Sequence, residues 1–425
     1  CDSVHSTSDR SCSVITFWFK RTTISPPSET ETVGESHKTE LKMPKKICIV
    51  VGTRPEAIKM APVFRELRQN PDFEPILLST GQHKEMLLQA LGAFGLTPDF
   101  DLELMRPAQT LPDLTARAIS AMSNFLEEHT PDAVLVQGDT TSVLAAALAS
   151  FYNQIPVGHI EAGLRTGNMK SPWPEEMNRR LTTPLCDWNF APTELSRSNL
   201  LNEGITKDKC FVTGNTVIDA LLWMKEILDS QQINVKAVAD RLKISDSFAQ
   251  RFLNDDGAPF ILVTGHRRES FGQGLEQLCD AFLQIVEAYP EIGVLYPVHL
   301  NPAVRNIVHA RLGASSNIEL IEPVGYEDFT WLMNKSRFII SDSGGVQEEA
   351  PTLGKPVLVT RETTERPEGV DAGTCRLVGT DVSKIMAEVH VLLTDQEELQ
   401  RRSQLRNPYG DGHASEKICK ILTAL

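Results

Sequence analysis

The chain has 425 residues, 41% hydrophobic and 23% charged, with a formal net charge of −14. That length accommodates about two to three domains with cores of their own, without disulfide or metal support. The acidic balance excludes a broadly basic nucleic-acid-binding surface, and no apolar stretch approaches the ~20 residues that span a bilayer.

Residues 1–42 stand apart, rich in Ser and Thr, holding Pro26-Pro27 and beginning with Cys1. Their apolar run at 14–19 falls short of the ~7–15 residues of a signal-peptide core, so they read as a disordered extension or a non-native leader. From Met43 strand and helix signals alternate. Residues 46–51 carry the β-branched run of a strand buried on both faces. Gly52-Thr53-Arg54-Pro55 breaks it, and Pro55 suits the first turn of a helix with Ile58, Ala61, Phe64 and Leu67 on one face. Further strands are expected at 75–80, 133–137, 155–160 and 210–213, with a helix at 83–91. Residues 230–257 are polar and lack a strand signal, as a helical connection would. A second series of strands follows at 260–263, 294–298, 318–321, 338–341 and 356–359.

This is the pattern of an α/β protein with two Rossmann-like doubly wound domains facing across a cleft. The expected divisions are 43–225 for the first domain, 226–257 for the connection, 258–395 for the second domain, and 396–425 for helices packing back across both. The eight cysteines form no CxxC and no regular spacing, so buried reduced thiols in a cytoplasmic protein are expected.

The chemistry-bearing residues cluster where strands end. Gly52-Thr53-Arg54-Pro55-Glu56-Ala57-Ile58-Lys59 offers a glycine turn, a helix start and two cations to an anion. It is not GxGxxG, so no dinucleotide cofactor is signalled. Asp139 follows the strand at 133–137 and Glu161 the strand at 155–160, while Glu175 and Glu176 lead into a helix after a Pro-braced loop. Singly, Asp139 could be only a helix N-cap and the glutamates only dipole partners. Together they suit acid–base work in one crevice. His266, Arg267 and Arg268 follow the first strand of the second series, as would suit a pyrophosphate. His299 closes the next strand and is open between site and structure. Asp342-Ser343-Gly344-Gly345 then runs into a helix, the strongest anion signal of the chain, with Glu349 placed for a ribose diol and Arg361 and Arg366 in a polar loop. The residues alone lead to a protein that binds a nucleotide diphosphate between two domains.

These segments, with Asn407-Pro408-Tyr409-Gly410-Asp411-Gly412 near the end, resemble in order the non-hydrolysing UDP-N-acetylglucosamine 2-epimerases. The resemblance runs over 45–425. It implies a GT-B-like fold, a homodimer, a UDP-sugar substrate, no membrane or nucleic-acid partner, and neither NAD nor a metal. It places UDP contacts on Arg54, His266, Phe329, Ser343, Gly344, Gly345, Glu349 and Arg366, with Lys59 among the substrate-binding positions as well. Catalysis it ties to Lys59, Asp139, Glu161, Glu175 and His266. Val324 departs from the family, whose close members carry Gln there. Some bacterial members bind a second substrate molecule as an activator; Gln82, Gln109, Glu176, Arg267 and His299 match that pocket, whereas Glu85 and Ala108 do not. The reaction implied is reversible epimerisation at C2 through a glycal, feeding cell-surface polysaccharide. The rivals are a hydrolysing epimerase, a retaining glycosyltransferase and a non-catalytic nucleotide-sugar sensor.

Overall fold

A computed structural model of the chain describes residues 43–82, 84–106, 108–231, 233–265 and 272–424. The readings of residues 1–42, His266, Arg267 and Arg268 fall outside the described residues. The first sheet holds β1 (Lys45–Val51), β2 (Phe73–Ser79), β3 (Phe100–Asp101), β4 (Ala133–Gln137), β5 (Val157–Ile160), β6 (Trp188–Ala191) and β7 (Cys210–Val212). The second holds β8 (Phe260–Thr264), β9 (Gly293–Pro297), β10 (Ile318–Ile321), β11 (Phe338–Ser341), β12 (Val357–Val359) and β13 (Cys375–Leu377). Every pairing is parallel, in the orders β3-β2-β1-β4-β5-β6-β7 and β10-β9-β8-β11-β12-β13.

Each order reverses once, between β1 and β4 and between β8 and β11. Chains leaving such neighbouring strands turn to opposite faces of the sheet, which opens a crevice beyond their C-terminal ends. The central strands are apolar without alternation because helices cover both faces: β4 and the last five residues of β1 are wholly buried.

One core cluster joins Ile47, Ile49 and Val51 of β1 to Ala220, Leu221 and Met224 of the helix Thr216–Ser230 and on to Phe260, Leu262 and Ile339 of the second sheet. The halves therefore share packing. Beyond Ser230 come the helix Val235–Leu242 and two short helical turns, with no strand before β8 among the described residues. The helix Ala414–Leu422 returns to lie on the helix Arg54–Gln69, and its start is held by Asp219, which accepts from Ala414 N at 3.2 Å and Ser415 N at 2.7 Å.

Strands β3, β6 and β13 were not expected from the sequence. The six cysteines among the described residues are buried and unpaired. No described helix is long and apolar enough to cross a membrane.

Candidate active site

The two crevices face each other across a cleft of about 830 Å³. From the first half it is lined by Arg54, Lys59, Gln137, Asp139, Glu161, Glu175 and Arg179; from the second by His299, Phe329, Ser343, Gly344, Gly345, Glu349 and Arg366.

At the end of β1, Gly52 leaves no room for a side chain: a Cβ would stand 2.5 Å from Thr80 Oγ1. Glu56 folds back here, and its Oε2 accepts from Gly52 N at 2.6 Å and Thr53 N at 3.1 Å. Burial raises its pKa to about 7. Glu56 thereby occupies the Gly52 and Thr53 amides, two of the donors that the sequence reading left to an anion. The cations remain: Arg54 and Lys59 both line the cleft.

At the end of β4, Thr140 rather than Asp139 caps the following helix, accepting from Val143 N at 3.3 Å. Asp139 is thereby released to the cleft, where Arg179 pairs with its carboxylate at 2.8 Å. Its backbone is fixed from two sides. Asn178 Nδ2 donates to Asp139 O at 2.9 Å, and the buried His159 holds Gly138 O at 2.7 Å through Nε2. Burial lowers the His159 pKa to about 4, so the ring is neutral, and since a carbonyl only accepts, Nε2 carries the proton.

Glu161, straight after β5, has φ +64°, a left-handed backbone that costs a non-glycine residue about 1 kcal/mol or more and is concentrated at functional sites. The turn presents its carboxylate to Lys59 Nζ at 2.5 Å and to Gln137 Nε2. Burial pulls the Lys59 pKa down, but Glu161 and Glu348 beside it outweigh that, and the net shift is upward. The two carboxylates beside Lys59 thus favour its ammonium form.

In the second half, the guanidinium of Arg366 lies on Gly344, where a Cβ would stand 2.8 Å from Arg366 Cζ. It pairs with Glu348 at 2.8 Å and Glu365 at 3.0 Å, and its Nη2 is 4.0 Å from Glu161. Burial opposes its charge, yet these three acids hold its pKa above the ordinary arginine value. Glu349 accepts from Tyr326 Oη at 2.8 Å, and burial lifts its pKa to about 7.

The described residues matched to an activator pocket are not gathered in this cleft. Glu176 is fully buried behind it, accepting from Thr166 N and Gly167 N and pairing with Arg179 and Arg180. Gln82 accepts from Ser142 Oγ at 2.8 Å, and Gln109 is engaged by Arg117 and by Arg106 N. Of the four that are described, only His299 lines the cleft. Sequence reasoning missed Arg179, Gln137, Tyr326 and Glu348. Arg179 had a signal, four residues after Glu175 on one helix face; the others had none.

Two Rossmann-like domains enclosing a cleft of buried carboxylates and arginines define the GT-B-like nucleotide-sugar class of proteins. A sequence profile of the family described as UDP-N-acetylglucosamine 2-epimerase matches residues 65–423. The UDP-N-acetylglucosamine 2-epimerase of Escherichia coli (strain K12) is 52% identical over 377 residues, 89% of this chain and 98% of its own. The crystal structure of the Neisseria meningitidis UDP-GlcNAc 2-epimerase bound to UDP-GlcNAc superposes with a TM-score of 0.81 at 48% identity, covering 89% of this chain and 100% of that one. That of the Methanocaldococcus jannaschii enzyme in complex with UDP-GlcNAc and UDP gives 0.73 at 33%, again over 89% and 100%. This chain belongs to the UDP-N-acetylglucosamine 2-epimerase family.

Proposed function

We propose that this enzyme is an isomerase that reversibly converts UDP-N-acetylglucosamine to UDP-N-acetylmannosamine, as a cytoplasmic homodimer supplying precursor for cell-surface polysaccharide. The observation that carries the reading is the cleft itself, with Asp139, Glu161 and Glu175 on one wall and Ser343, Gly344, Gly345 and Arg366 on the other.

The C2–H bond is not next to a carbonyl, so direct deprotonation is too slow. Elimination resolves this. A carboxylate takes the C2 proton, the electron pair forms C1=C2, and the C1–O bond breaks with its pair leaving on UDP. Re-addition of UDP oxygen to C1, with a proton delivered to the opposite face of C2, completes the inversion. The departing diphosphate is stabilised by Arg54, Arg366 and the Ser343-Gly344-Gly345 turn, with Glu349 on the ribose and Phe329 beside the uracil. His266 would add to the diphosphate contacts. Lys59 neutralises Glu161, and Asp139, Glu161 and Glu175 share the proton transfers. Neither NAD nor a metal enters this scheme. A second UDP-sugar acting through Gln82, Gln109, Glu176, Arg267 and His299 would bind beside this cleft.

Proton NMR of UDP-N-acetylglucosamine with the enzyme in D2O tests the reaction. Deuterium at C2 of the recovered UDP-sugar is the expected result. Free UDP with N-acetylmannosamine would instead identify a hydrolase, and an unchanged substrate a sensor or an acceptor-dependent transferase.

A further inference from the structure

Glu348 has no proton to move in this scheme, yet it sits at the meeting point of the two halves. It lies on the helix Gly344–Glu349 and is 1% exposed. Its Oε1 accepts from Arg366 Nε at 2.8 Å, while Oε2 stands 3.7 Å from Lys59 Nζ with no hydrogen-bond partner among the described residues. A buried ion pair returns little net stability, because desolvating both charges offsets their attraction. Its use must be looked for elsewhere.

Geometry supplies one. A guanidinium has a single Nε–H and an outer edge of two Nη groups. With Nε tied to Glu348 and the plane resting on Gly344, the Nη groups are turned toward Glu365 and Glu161, both of which line the cleft. Glu348 is itself held from behind. Asn407 Nδ2 donates to Glu348 O and to Thr352 Oγ1, each at 2.7 Å, and Asn407 Oδ1 accepts from Tyr409 N at 2.9 Å. The segment 407–412, prominent in the sequence but given no task by the reaction, thus anchors this helix.

We propose that Glu348 is a positioning residue for the epimerisation: it holds Arg366 by Nε so that the outer edge meets the diphosphate, and it sets Lys59 against Glu161. The assignment rests on the reading that the diphosphate occupies the Arg366 side of the cleft. Because Glu348 is itself an anion next to an anion site, losing its charge does not weaken UDP binding; it misaligns the groups that act during bond breaking.

The test is a double-mutant cycle of Glu348→Gln and Arg366→Ala in the full chain, read by epimerisation kinetics, UDP calorimetry and thermal melting. Glu348→Gln alone is expected to lower kcat about tenfold or more, with the UDP Kd within about threefold of the parent, and to have a much smaller effect on kcat once Arg366 is gone. Equal effects in both backgrounds, an unchanged kcat, or a parallel loss of kcat, UDP affinity and melting temperature would each overturn the proposal. If Glu348→Gln does not fold, Glu348→Asp, which keeps the charge but withdraws the carboxylate, is run through the same cycle and judged by the same results. The unsubstituted enzyme measured alongside reports on the reaction itself: without deuterium at C2 there, both readings fall, and with it only the placement of Glu348 is at stake.

Discussion

Arg179 and Asp139 meet at 2.8 Å across two βα connections, with Arg179 almost wholly buried. The same arginine also pairs with Glu176 at 3.6 Å and reaches back to Glu175 O at 3.4 Å. One side chain therefore ties the Asp139 carboxylate, assigned to proton transfer, to the backbone that carries Glu175. Removing it loosens both without touching the diphosphate wall. Arg179→Gln should lower turnover by about tenfold or more, the scale of a lost charge-assisted hydrogen bond of ~1.5–3 kcal/mol, while UDP affinity measured by calorimetry stays at the parent value.

Asp139→Asn, Glu161→Gln and Glu175→Gln preserve size while removing the base. Each should lose ~10²–10⁴-fold in turnover if it moves a proton. Since Thr140 caps the helix after β4, Asp139→Asn leaves that cap intact, and its melting temperature should stay near that of the parent. Near-parental rates in all three variants would refute their assignment to proton transfer.

On the opposite wall, Arg366→Ala should weaken UDP binding roughly tenfold or more, the equivalent of ~1.5–3 kcal/mol. Gly344→Ala offers a subtler version. Its methyl would intrude on Arg366 Cζ at 2.8 Å, and a long side chain yields more readily than backbone. The expected outcome is a several-fold rise in the UDP Kd with little change in melting temperature, both measurable on one preparation.

Buried acids also set a pH signature. Glu56 carries a pKa of about 7 in the folded chain against an ordinary 4.5, so the stability it contributes is full below pH 4.5 and lost as pH rises through 7. His159, lowered to about 4, works oppositely, its contribution being present above pH 6.5 and lost as pH falls. In Glu56→Gln the amide oxygen still accepts from Gly52 and Thr53, but the titration is gone. Between pH 4.5 and 7 this variant should gain on the parent in thermal stability, by on the order of 3 kcal/mol at the upper end. A difference independent of pH would refute the buried-carboxyl assignment.

The fold was legible wherever a strand is buried on both faces, because such strands are continuous apolar runs; β4 and β11 fall on the expected residues. Strand β6 was not, since the fully buried Asn189 interrupts its run, and β13 is three residues long with the exposed Arg376 at its centre. The strand-end acids could be found because parallel sheets gather such positions along one edge. Glu348 could not: next to Glu349 in sequence, it differs from its neighbour only in which cations the fold brings to it. Likewise Glu176 and Glu175 look interchangeable in the sequence, yet the helix turns one to the cleft and the other into the protein.

The return of the helix Ala414–Leu422 onto the helix Arg54–Gln69 has a consequence for how the polypeptide is made. Ribosomes deliver the first sheet early, but the surface that receives Ile418, Cys419 and Leu422 stays uncovered until the second sheet and the helix Ala414–Leu422 have emerged. Asp219 likewise waits almost two hundred residues for the amides it holds. The first half is therefore completed last, and a nascent chain stalled between the two sheets would display an unfinished apolar face to chaperones.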